Sequence, residues 1–280
     1  VVSGNDVLTV EGLSKAFPQQ KLFSDINFEI KRGERVALIG NNGTGKTTIL
    51  KMINELVAPD AGTIILGCNV QIGYYDQEHQ QLHMEKTIFD EIADDYPSLN
   101  NTKVRNVLAA FLFTDDDVYK RIEDLSGGER GRVALAKLML SDANFLILDE
   151  PTNHLDITSK EILEDALKSY TGTVLFVSHD RYFINQTATR ILELTGETVV
   201  NYIGNYDYYL EKHDQMAALY VKNREDAVQS QSAGVENTSA QKVDWQTQKA
   251  EQARIRKLEN ARNKAEERIA ELEENISAID

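Results

Sequence analysis

The sequence predicts an α/β protein built on a mostly parallel β-sheet. Short apolar runs alternate with segments of helical spacing between residues 36 and 177, which is the pattern of strands joined by crossover helices. Residues 145–148 and 174–177 are apolar throughout, as expected of strands that are covered on both faces. A glycine-rich loop at 40–47 stands between a third apolar run and a helix, so it marks the carboxyl edge of the sheet.

The predicted elements follow in a simple order. Residues 5–32 alternate apolar and polar positions, which predicts short antiparallel strands ahead of the glycine-rich loop. Pro59 and Gly62 bound a turn, after which further strands are expected at 63–66, 70–74, 145–149 and 173–177. Helices are expected over 85–125, with a break at 97–101, and at 129–140 and 157–169. This alternation predicts a sheet with helices on both faces.

The composition changes after Leu210, and three segments are predicted. They are a globular domain over 1–212, a helix end and flexible linker over 213–241, and a helical arm over 242–280. In the arm, apolar residues follow a seven-residue repeat with two seam positions: Ile255, Leu258, Ala265, Ile269, Leu272, Ile276 and Ile279. The repeat predicts part of a coiled coil, with a single solvated helix as the alternative.

Charge and composition exclude some classes of protein. The 280 residues carry a net charge of −15, which argues against a simple nucleic-acid binder. Residues 249–268 are locally basic, with seven Lys or Arg against four Glu; this basic stripe either faces phosphate or is a solvated helix face. No apolar run reaches the length of about 18 residues needed to span a membrane. The single Cys68 allows no internal disulfide and fits the cytoplasm, and the start at Val1 suggests a piece of a longer protein.

The glycine-rich loop carries the strongest chemical signal. It reads Gly40-Asn41-Asn42-Gly43-Thr44-Gly45-Lys46-Thr47 and enters a helix with Thr48. Glycines let the backbone approach a polyphosphate, and N–H groups at the helix start point at its charge. We expect Lys46 to project into a solvent-filled loop and reach the β- and γ-phosphates, and Thr47 to bind Mg²⁺. The loop predicts a nucleoside triphosphate site; a glycine-rich turn without a ligand is the alternative.

Two carboxylates follow the strand at 145–148. Asp149 emerges at the carboxyl end of this strand, beside the loop in a doubly wound sheet, where it can hold Mg²⁺ through water. Glu150 points to the other side and can polarise an attacking water. Phosphoryl transfer requires charge neutralisation and an oriented nucleophile, so the pair predicts hydrolysis of the triphosphate. Two acids that only end a strand are the alternative.

A second anion site is predicted at Ser126-Gly127-Gly128-Glu129, ahead of a long helix. Ser126 and Glu129 have the spacing of a capping box. Capping alone leaves the two glycines unexplained, because glycine destabilises a helix. An exposed helix start with small residues is suited to an anion such as phosphate, so Ser126, Gly127 and Gly128 are candidates for binding one.

Together these motifs resemble the ATP-binding cassette (ABC) ATPases. Residues 40–47 match the Walker A loop, 145–150 the Walker B strand and 125–129 the signature sequence. The resemblance implies binding of ATP and Mg²⁺ by an ABC-type domain with a parallel-sheet core, an antiparallel β-subdomain and a short helical subdomain. In this family two cassettes pair head to tail, so the signature would contact ATP held by a second cassette.

The same resemblance assigns roles to isolated residues. Gln77 is similar to the Q-loop glutamine, a ligand of nucleotide and metal, and residues 151–156 complete a D-loop. His179 is similar to the switch histidine, which acts in catalysis with Glu150 and Lys46. Phe17 is the candidate for stacking on adenine, with a position in the core as the alternative.

Within the superfamily the chain is similar to the ABC-F group of soluble translation factors. Residues 149–156, 178–183 and 204–210 carry this resemblance. It implies the second of two cassettes, followed by the start of a coiled-coil extension, in a protein that acts on the ribosome near rRNA and tRNA and not at a membrane. A cassette alone is expected to hydrolyse ATP weakly.

Two other classes stay open at this point. The ATPase subunit of a membrane transporter has a helical region that docks a membrane domain, usually longer than the 48 residues between Gln77 and Ser126. A DNA-associated cassette ATPase has the basic stripe at 249–268 in its favour.

Overall fold

The computed structural model describes residues 2–76 and 82–213. Gln77 lies outside these residues, as do the predicted linker and coiled-coil arm beyond residue 213 and the basic stripe within that arm. No helix in the described ranges combines the length and apolar character needed to cross a bilayer.

Strands and helices alternate from β3 onward. The strands are β1 (Asp6–Phe17), β2 (Gln20–Lys31), β3 (Arg35–Gly40), β4 (Ala61–Leu66), β5 (Ile72–Asp76), β6 (Phe145–Asp149), β7 (Thr173–Val177), β8 (Arg190–Thr195) and β9 (Thr198–Tyr202). The helices are α1 (Lys46–Ile53), α2 (Ile88–Asp95), α3 (Asn101–Ala110), α4 (Gly127–Leu140), α5 (Ile157–Ser169) and α6 (Arg181–Thr187). Short 3₁₀ turns cover Asp115–Tyr119 and Ile122–Asp124, and residues 206–213 are helical.

The strands form two sheets. β2, β1 and β4 make an antiparallel sheet in that order, and the other six strands follow the order β5-β6-β7-β3-β8-β9. In the larger sheet every neighbouring pair is parallel except β8 and β9. Because β3, β6 and β7 are parallel neighbours, the segments that follow them meet at one edge of the sheet. The predicted parallel core and antiparallel subdomain are both confirmed.

Local sequence explains where the helices begin. An oxygen-bearing side chain caps α2, α3, α4, α5 and α6, each accepting a hydrogen bond from the backbone N–H three residues on: Thr87, Asn100, Ser126, Asp156 and Asp180. α1 differs, because its N-cap is Gly45 and no side chain caps it. Its first N–H groups are therefore left for another partner.

The predicted boundaries agree closely in the sheet core and less well elsewhere. β6, α5 and β7 coincide with the predictions for 145–149, 157–169 and 173–177. α4 begins two residues earlier than predicted, at Gly127, because Ser126 is the cap. β4 begins inside the expected turn, at Ala61, and β5 lies two residues later than predicted. The elements α6, β8 and β9 were not predicted.

One apolar core joins the antiparallel sheet to the larger sheet and α1. Every residue of β6 and β7 is buried, and Phe23, Ile49, Phe145 and Leu192 are fully buried members of the shared core. The region between β5 and α4 has its own buried side chains on α2, α3 and the 3₁₀ turns, among them Ile92, Leu108 and Ile122. This is the predicted short helical subdomain.

Arg190 is the buried polar link between the two sheets. Its guanidinium donates to the Glu29 carbonyl of β2 at 2.7 Å, to the Glu34 carboxylate at 3.1 Å and to Asn201 of β9 at 2.7 Å. The Arg190 side chain is 4% exposed and that of Glu34 13%. A guanidinium can satisfy several acceptors in one plane, which explains why arginine occupies this place.

Arg190→Met should destabilise the domain by roughly 3–5 kcal/mol, because it leaves the Glu34 carboxylate and the Glu29 carbonyl buried without this donor. Urea unfolding followed by circular dichroism measures the change. The control is Lys21→Met, which removes the exposed pair with Glu197 and should cost no more than about 1 kcal/mol. Equal losses of unfolding free energy in the two variants would contradict the prediction that the buried bonds of Arg190 stabilise the domain more than an exposed ion pair does.

Candidate nucleotide-binding site

The loop between β3 and α1 has the backbone of a phosphate cradle. Gly40, Gly43 and Gly45 have φ values of 152°, 79° and 104°, which side chains disfavour. A Cβ on Gly40 would stand 2.5 Å from the carbonyl oxygen of Leu194, and one on Gly45 would stand 2.9 Å from the ring of Phe23. Both glycines are therefore required by close packing beneath the loop.

Lys46 is held inside this loop. Its Nζ donates to the carbonyls of Gly40 at 2.8 Å and Asn41 at 3.0 Å, and the residue is only 7% exposed. The expectation of a side chain projecting into solvent is wrong, because the curl of the loop turns its carbonyls toward the amine. Burial lowers the pKa of Lys46, and the charges of Glu150 and Asp149 oppose that shift.

Thr47 and Asp149 meet across the sheet edge as predicted. The Thr47 hydroxyl donates to Asp149 Oδ1 at 3.2 Å. Burial raises the pKa of Asp149, the bond from Thr47 opposes the rise, and the charges of Glu150 and Asp76 add to it. Hydroxyl and carboxylate oxygens are the donors that Mg²⁺ prefers, so this pair fits the ion. In the described ranges, no group of three or more His, Cys, Asp or Glu side chains is placed to hold a metal.

Glu150 turns away from Asp149 and faces His179. Its φ is +48°, in the left-handed region, and its backbone N–H donates to the Val177 carbonyl of β7. The carboxylate lies 3.2 Å from His179 Nε2 and accepts a hydrogen bond from the His179 backbone N–H at 3.3 Å. A strained backbone at this point costs about 1–3 kcal/mol. Because of it, the Glu150 carboxylate points in a different direction from the Asp149 carboxylate.

The candidate signature at the start of α4 has the complete capping box. Ser126 Oγ accepts from the Glu129 N–H at 3.3 Å, while the Glu129 carboxylate accepts from the Ser126 N–H and hydroxyl at 2.8 and 2.7 Å. These bonds lower the pKa of Glu129. None of the hydrogen bonds of Ser126 reaches residues 40–47, although both segments are described. The hydrogen bonds of the Ser126 side chain stay within the first turn of α4.

The sequence of the chain matches known proteins over the same region. Residues 23–153 fit the family model described as ABC transporter. The putative ATP-binding protein YdiF of Bacillus subtilis is 51% identical over 238 residues, which are 85% of this chain and 37% of that protein. ABC transporter F family member 5 of Arabidopsis thaliana is 41% identical, over 75% of this chain and 31% of that protein. The energy-dependent translational throttle protein EttA of Escherichia coli is 40% identical, over 74% of this chain and 38% of that protein.

The chain belongs to the ABC family of ATPase cassettes. Its relatives include ABC-F members, which is consistent with an ABC-F cassette. The chain spans 31–39% of the length of the curated relatives it matches.

Solved structures agree on the fold of the cassette. A putative metal-chelate type ABC transporter in an inward-facing conformation has a TM-score of 0.59 at 23% identity, over 74% of this chain and 86% of that one. A dimeric ATP-binding cassette in a post-hydrolysis state with ADP and phosphate also has a TM-score of 0.59. It is 21% identical, over 69% of this chain and 97% of that one. At these identities the similarity establishes the shared fold alone.

Phe17 lies at the end of the β1–β2 hairpin of the cassette. It is 48% exposed, and Lys15 Nζ stands 5.4 Å from its ring centroid, so the alternative of a core position is excluded. In the same hairpin, Gln20 Nε2 donates to the Gly43 carbonyl at 3.1 Å and ties the turn to the Walker A loop. Stacking of Phe17 on adenine stays a prediction.

Sequence reasoning missed residues that the sheet register brings to the site. Asp76 at the end of β5 is paired in register with Asp149, and its charge acts on that carboxyl group. Tyr74, two residues earlier, has its pKa raised by burial and by the charges of Asp76 and Asp149. Thr152 and Ser178 share a buried hydrogen bond of 2.9 Å that joins the D-loop to the switch segment. The apolar pattern of β5 with its terminal acid was the available signal for Asp76.

The two signature glycines are predicted to differ in tolerance. A Cβ on Gly128 would stand 2.9 Å from the His154 carbonyl of the D-loop, whereas one on Gly127 would meet nothing within 4 Å. Gly128→Ala should lower the free energy of unfolding by about 1–3 kcal/mol through overpacking. Gly127→Ala, its matched control in the same helical turn, should be neutral or stabilising by up to about 1 kcal/mol. Urea unfolding without nucleotide compares them; a larger loss at Gly127 would contradict this packing.

Proposed function

We propose that this cassette binds and hydrolyses Mg²⁺–ATP in composite sites shared with a second cassette, within an ABC-F protein that acts on the ribosome. The observation that carries the proposal is the separation of two half-sites. Lys46, Thr47, Asp149, Glu150 and His179 lie at one edge of the sheet, while the signature at Ser126 has its own helix start.

ATP binding is assigned to the loop and α1. Lys46 supplies a positive charge to the β- and γ-phosphates, and the uncapped start of α1 supplies backbone N–H donors. Thr47 and Asp149 would hold Mg²⁺, which neutralises phosphate charge when bound. The hairpin that carries Phe17 is tied to the loop by Gln20 and is the side on which the base is expected. Gln77 would complete the nucleotide and metal ligands.

Hydrolysis is assigned to Glu150 with His179. The Glu150 carboxylate is separated from the Thr47–Asp149 pair, so it is available to orient a water and accept its proton. His179 contacts Glu150 through both Nε2 and the backbone N–H, and therefore fixes the direction of that carboxylate. The left-handed backbone at Glu150 supports this division of roles between adjacent acids.

A second cassette would complete each site. Ser126, Gly127 and Gly128 would contact the ATP held by the partner, and residues 40–47 would receive the partner's signature. Its solved neighbour of the same fold is described as a dimer with ADP and phosphate, which supports pairing. The net charge of −15 opposes association of two copies at low salt, so the isolated chain is expected to be a weak ATPase.

The ribosome is proposed from the relatives. EttA is named as an energy-dependent translational throttle, and the chain is 40% identical to it across the cassette. We therefore assign a role in translation, near rRNA and tRNA in the cytoplasm, to the whole protein that contains this cassette. The second cassette would be the first cassette of the same full-length chain, or a second copy placed head to tail.

Glu150→Gln should slow ATP hydrolysis by roughly 100-fold or more, because an amide cannot accept the proton of the attacking water. ATP binding should persist, since Thr47 and Asp149 are untouched. Single-turnover hydrolysis and nucleotide titration measure the two properties. Glu161→Gln, an exposed acid on α5, is the matched control and should hydrolyse ATP at the wild-type rate.

The same variant tests the ribosome. Full-length protein with Glu150→Gln should stay in the closed ATP-bound form, co-sediment with ribosomes in ATP and stall translation in a cell-free system. Glu161→Gln should do neither. A variant that binds ATP without hydrolysing it, yet never sediments with ribosomes, would contradict the role in translation and leave the ATPase assignment standing.

Mixing two inactive variants tests the composite site. Lys46→Ala empties a Walker A loop and Ser126→Arg blocks a signature, so each dimer made of one variant should be nearly inactive. A heterodimer keeps one intact site, and an equal mixture should recover about a quarter of the wild-type rate. Steady-state hydrolysis at moderate salt, which screens charge repulsion beyond about 10 Å, measures the recovery.

The matched control mixes Lys46→Ala with Glu150→Gln, two changes on the same side of the site. No heterodimer of that pair keeps an intact site, so no recovery is expected. Recovery in this control, or none with Ser126→Arg despite dimers seen by sedimentation, would refute the composite site.

A further inference from the structure

A fully buried carboxylate stands in the helical subdomain, outside the nucleotide site. The side chain of Glu91, on α2, has no exposed surface. Its Oε1 accepts from Lys137 Nζ on α4 at 2.6 Å, and its Oε2 lies 3.0 Å from His83 Nδ1. The His83 backbone N–H donates to the same oxygen at 3.3 Å. One carboxylate on α2 thus contacts two other parts of the chain, Lys137 on α4 and the segment at His83.

Both residues that contact Glu91, Lys137 and His83, are close in sequence to elements of the proposed site. Lys137 is ten residues beyond Gly127, on the helix whose first turn is the signature. Lys137 also pairs with Asp95 at the end of α2 at 2.6 Å, and its carbonyl accepts from the Tyr96 hydroxyl. His83 lies seven residues beyond Asp76, the last residue of β5 and the register partner of Asp149.

The backbone continues the connection toward the signature. Residues 84–88 pair with 120–123: the Glu123 N–H donates to the Met84 carbonyl and the Ile122 N–H to the Lys86 carbonyl, both at 3.0 Å. Two residues after Glu123 comes Leu125, where the signature begins. The segment anchored by His83 is therefore bonded directly to the segment that enters α4.

The second half of α4 packs closely on β5 at one point, where a Cβ on Gly73 would stand 2.7 Å from the Leu138 side chain. A cavity of about 490 Å³, lined by Tyr74, Asp76, Tyr96 and Lys137 among others, lies between the edge strand β5 and the second half of α4. Breaking a buried ion pair leaves a charge without compensation, so the bonds of Glu91 penalise any shift of α4 or of His83. Burial lowers the pKa of Lys137, but its bonds to Asp95 and Glu91 outweigh burial and raise it.

We propose that Glu91 is a positioning residue for the signature: through Lys137 and His83 it fixes the start of α4 relative to residues 83–88. The proposal rests on the proposed function, in which Ser126–Gly128 act on ATP held by the partner cassette. Glu91 touches no nucleotide in this arrangement. Its loss should therefore reduce the activity of the site that receives this chain's signature, and spare the site formed by its own loop.

The test uses the mixture of Lys46→Ala and Ser126→Arg chains, whose one active site takes the signature from the Lys46→Ala chain. His83→Ala is the main change, because His83 is about half exposed and Lys137 still pairs with Glu91. When His83→Ala is placed on the Lys46→Ala chain, which supplies the signature, it should lower kcat roughly tenfold at unchanged KM for ATP. Loss of one hydrogen bond to a charged group has an effect of this size. On the Ser126→Arg chain, His83→Ala should change kcat by less than about twofold. Glu91→Gln should repeat this asymmetry with a larger loss.

Lys86→Ala is the matched control. Lys86 lies in the same segment and pairs with Asp94 on α2 at 2.9 Å, but Asp94 is 60% exposed and the pair makes no hydrogen bond or ion pair with α4, so neither placement should alter kcat. Hydrogen exchange of the single chain without nucleotide is the second readout. His83→Ala should speed exchange at residues 125–130 and leave 145–149 unchanged.

Equal losses of activity in both placements, or unchanged exchange at 125–130, would overturn the positioning role. An unmodified mixture without activity would instead reject the composite site, and the exchange measurement would still decide the proposal.

Discussion

The parallel order β6-β7-β3 is the constraint on which the site depends. These strands are apolar and buried on both faces, so they pair side by side in the centre of the sheet, and their following segments share one edge. The Walker A loop, the two acids and His179 all follow these strands. Residues more than 100 positions apart in sequence, such as Thr47 and Asp149, therefore come within hydrogen-bonding distance.

Among the described residues at this edge, the buried amine of Lys46 lies in the field of several acids. The charges of Glu150 and Asp149 act on Lys46, and Asp76, in register with Asp149, adds a further negative charge that acts on Asp149. The Thr47 hydroxyl and the left-handed backbone at Glu150 keep the two adjacent carboxylates apart. A polyphosphate would add negative charge to this place, and the Mg²⁺ proposed at Thr47 and Asp149 would neutralise it.

Local sequence patterns predicted the boundaries of elements that depend on neighbouring residues. They did not predict contacts that depend on the pairing of strands distant in sequence. β6, α5 and β7 were predicted to the residue, because apolar runs end at polar residues and Asp156 is a strong cap. The contact of Glu150 with His179, 29 residues later, needed the pairing of β6 with β7. Asp76 was missed for the same reason. The orientation of Lys46 was wrong because loop carbonyls, which no side-chain pattern reveals, accept its protons.

The hydrogen bond from Gln20 to Gly43 has a consequence for ligand choice. It joins the β1–β2 turn, three residues after the exposed ring of Phe17, to the glycine backbone of the phosphate loop. With Phe17 stacked on the base, as proposed, this link would set the distance between the base and the phosphates. A ligand whose ring and phosphates were joined by a longer or shorter spacer could then reach Phe17 or the phosphate loop, but not both.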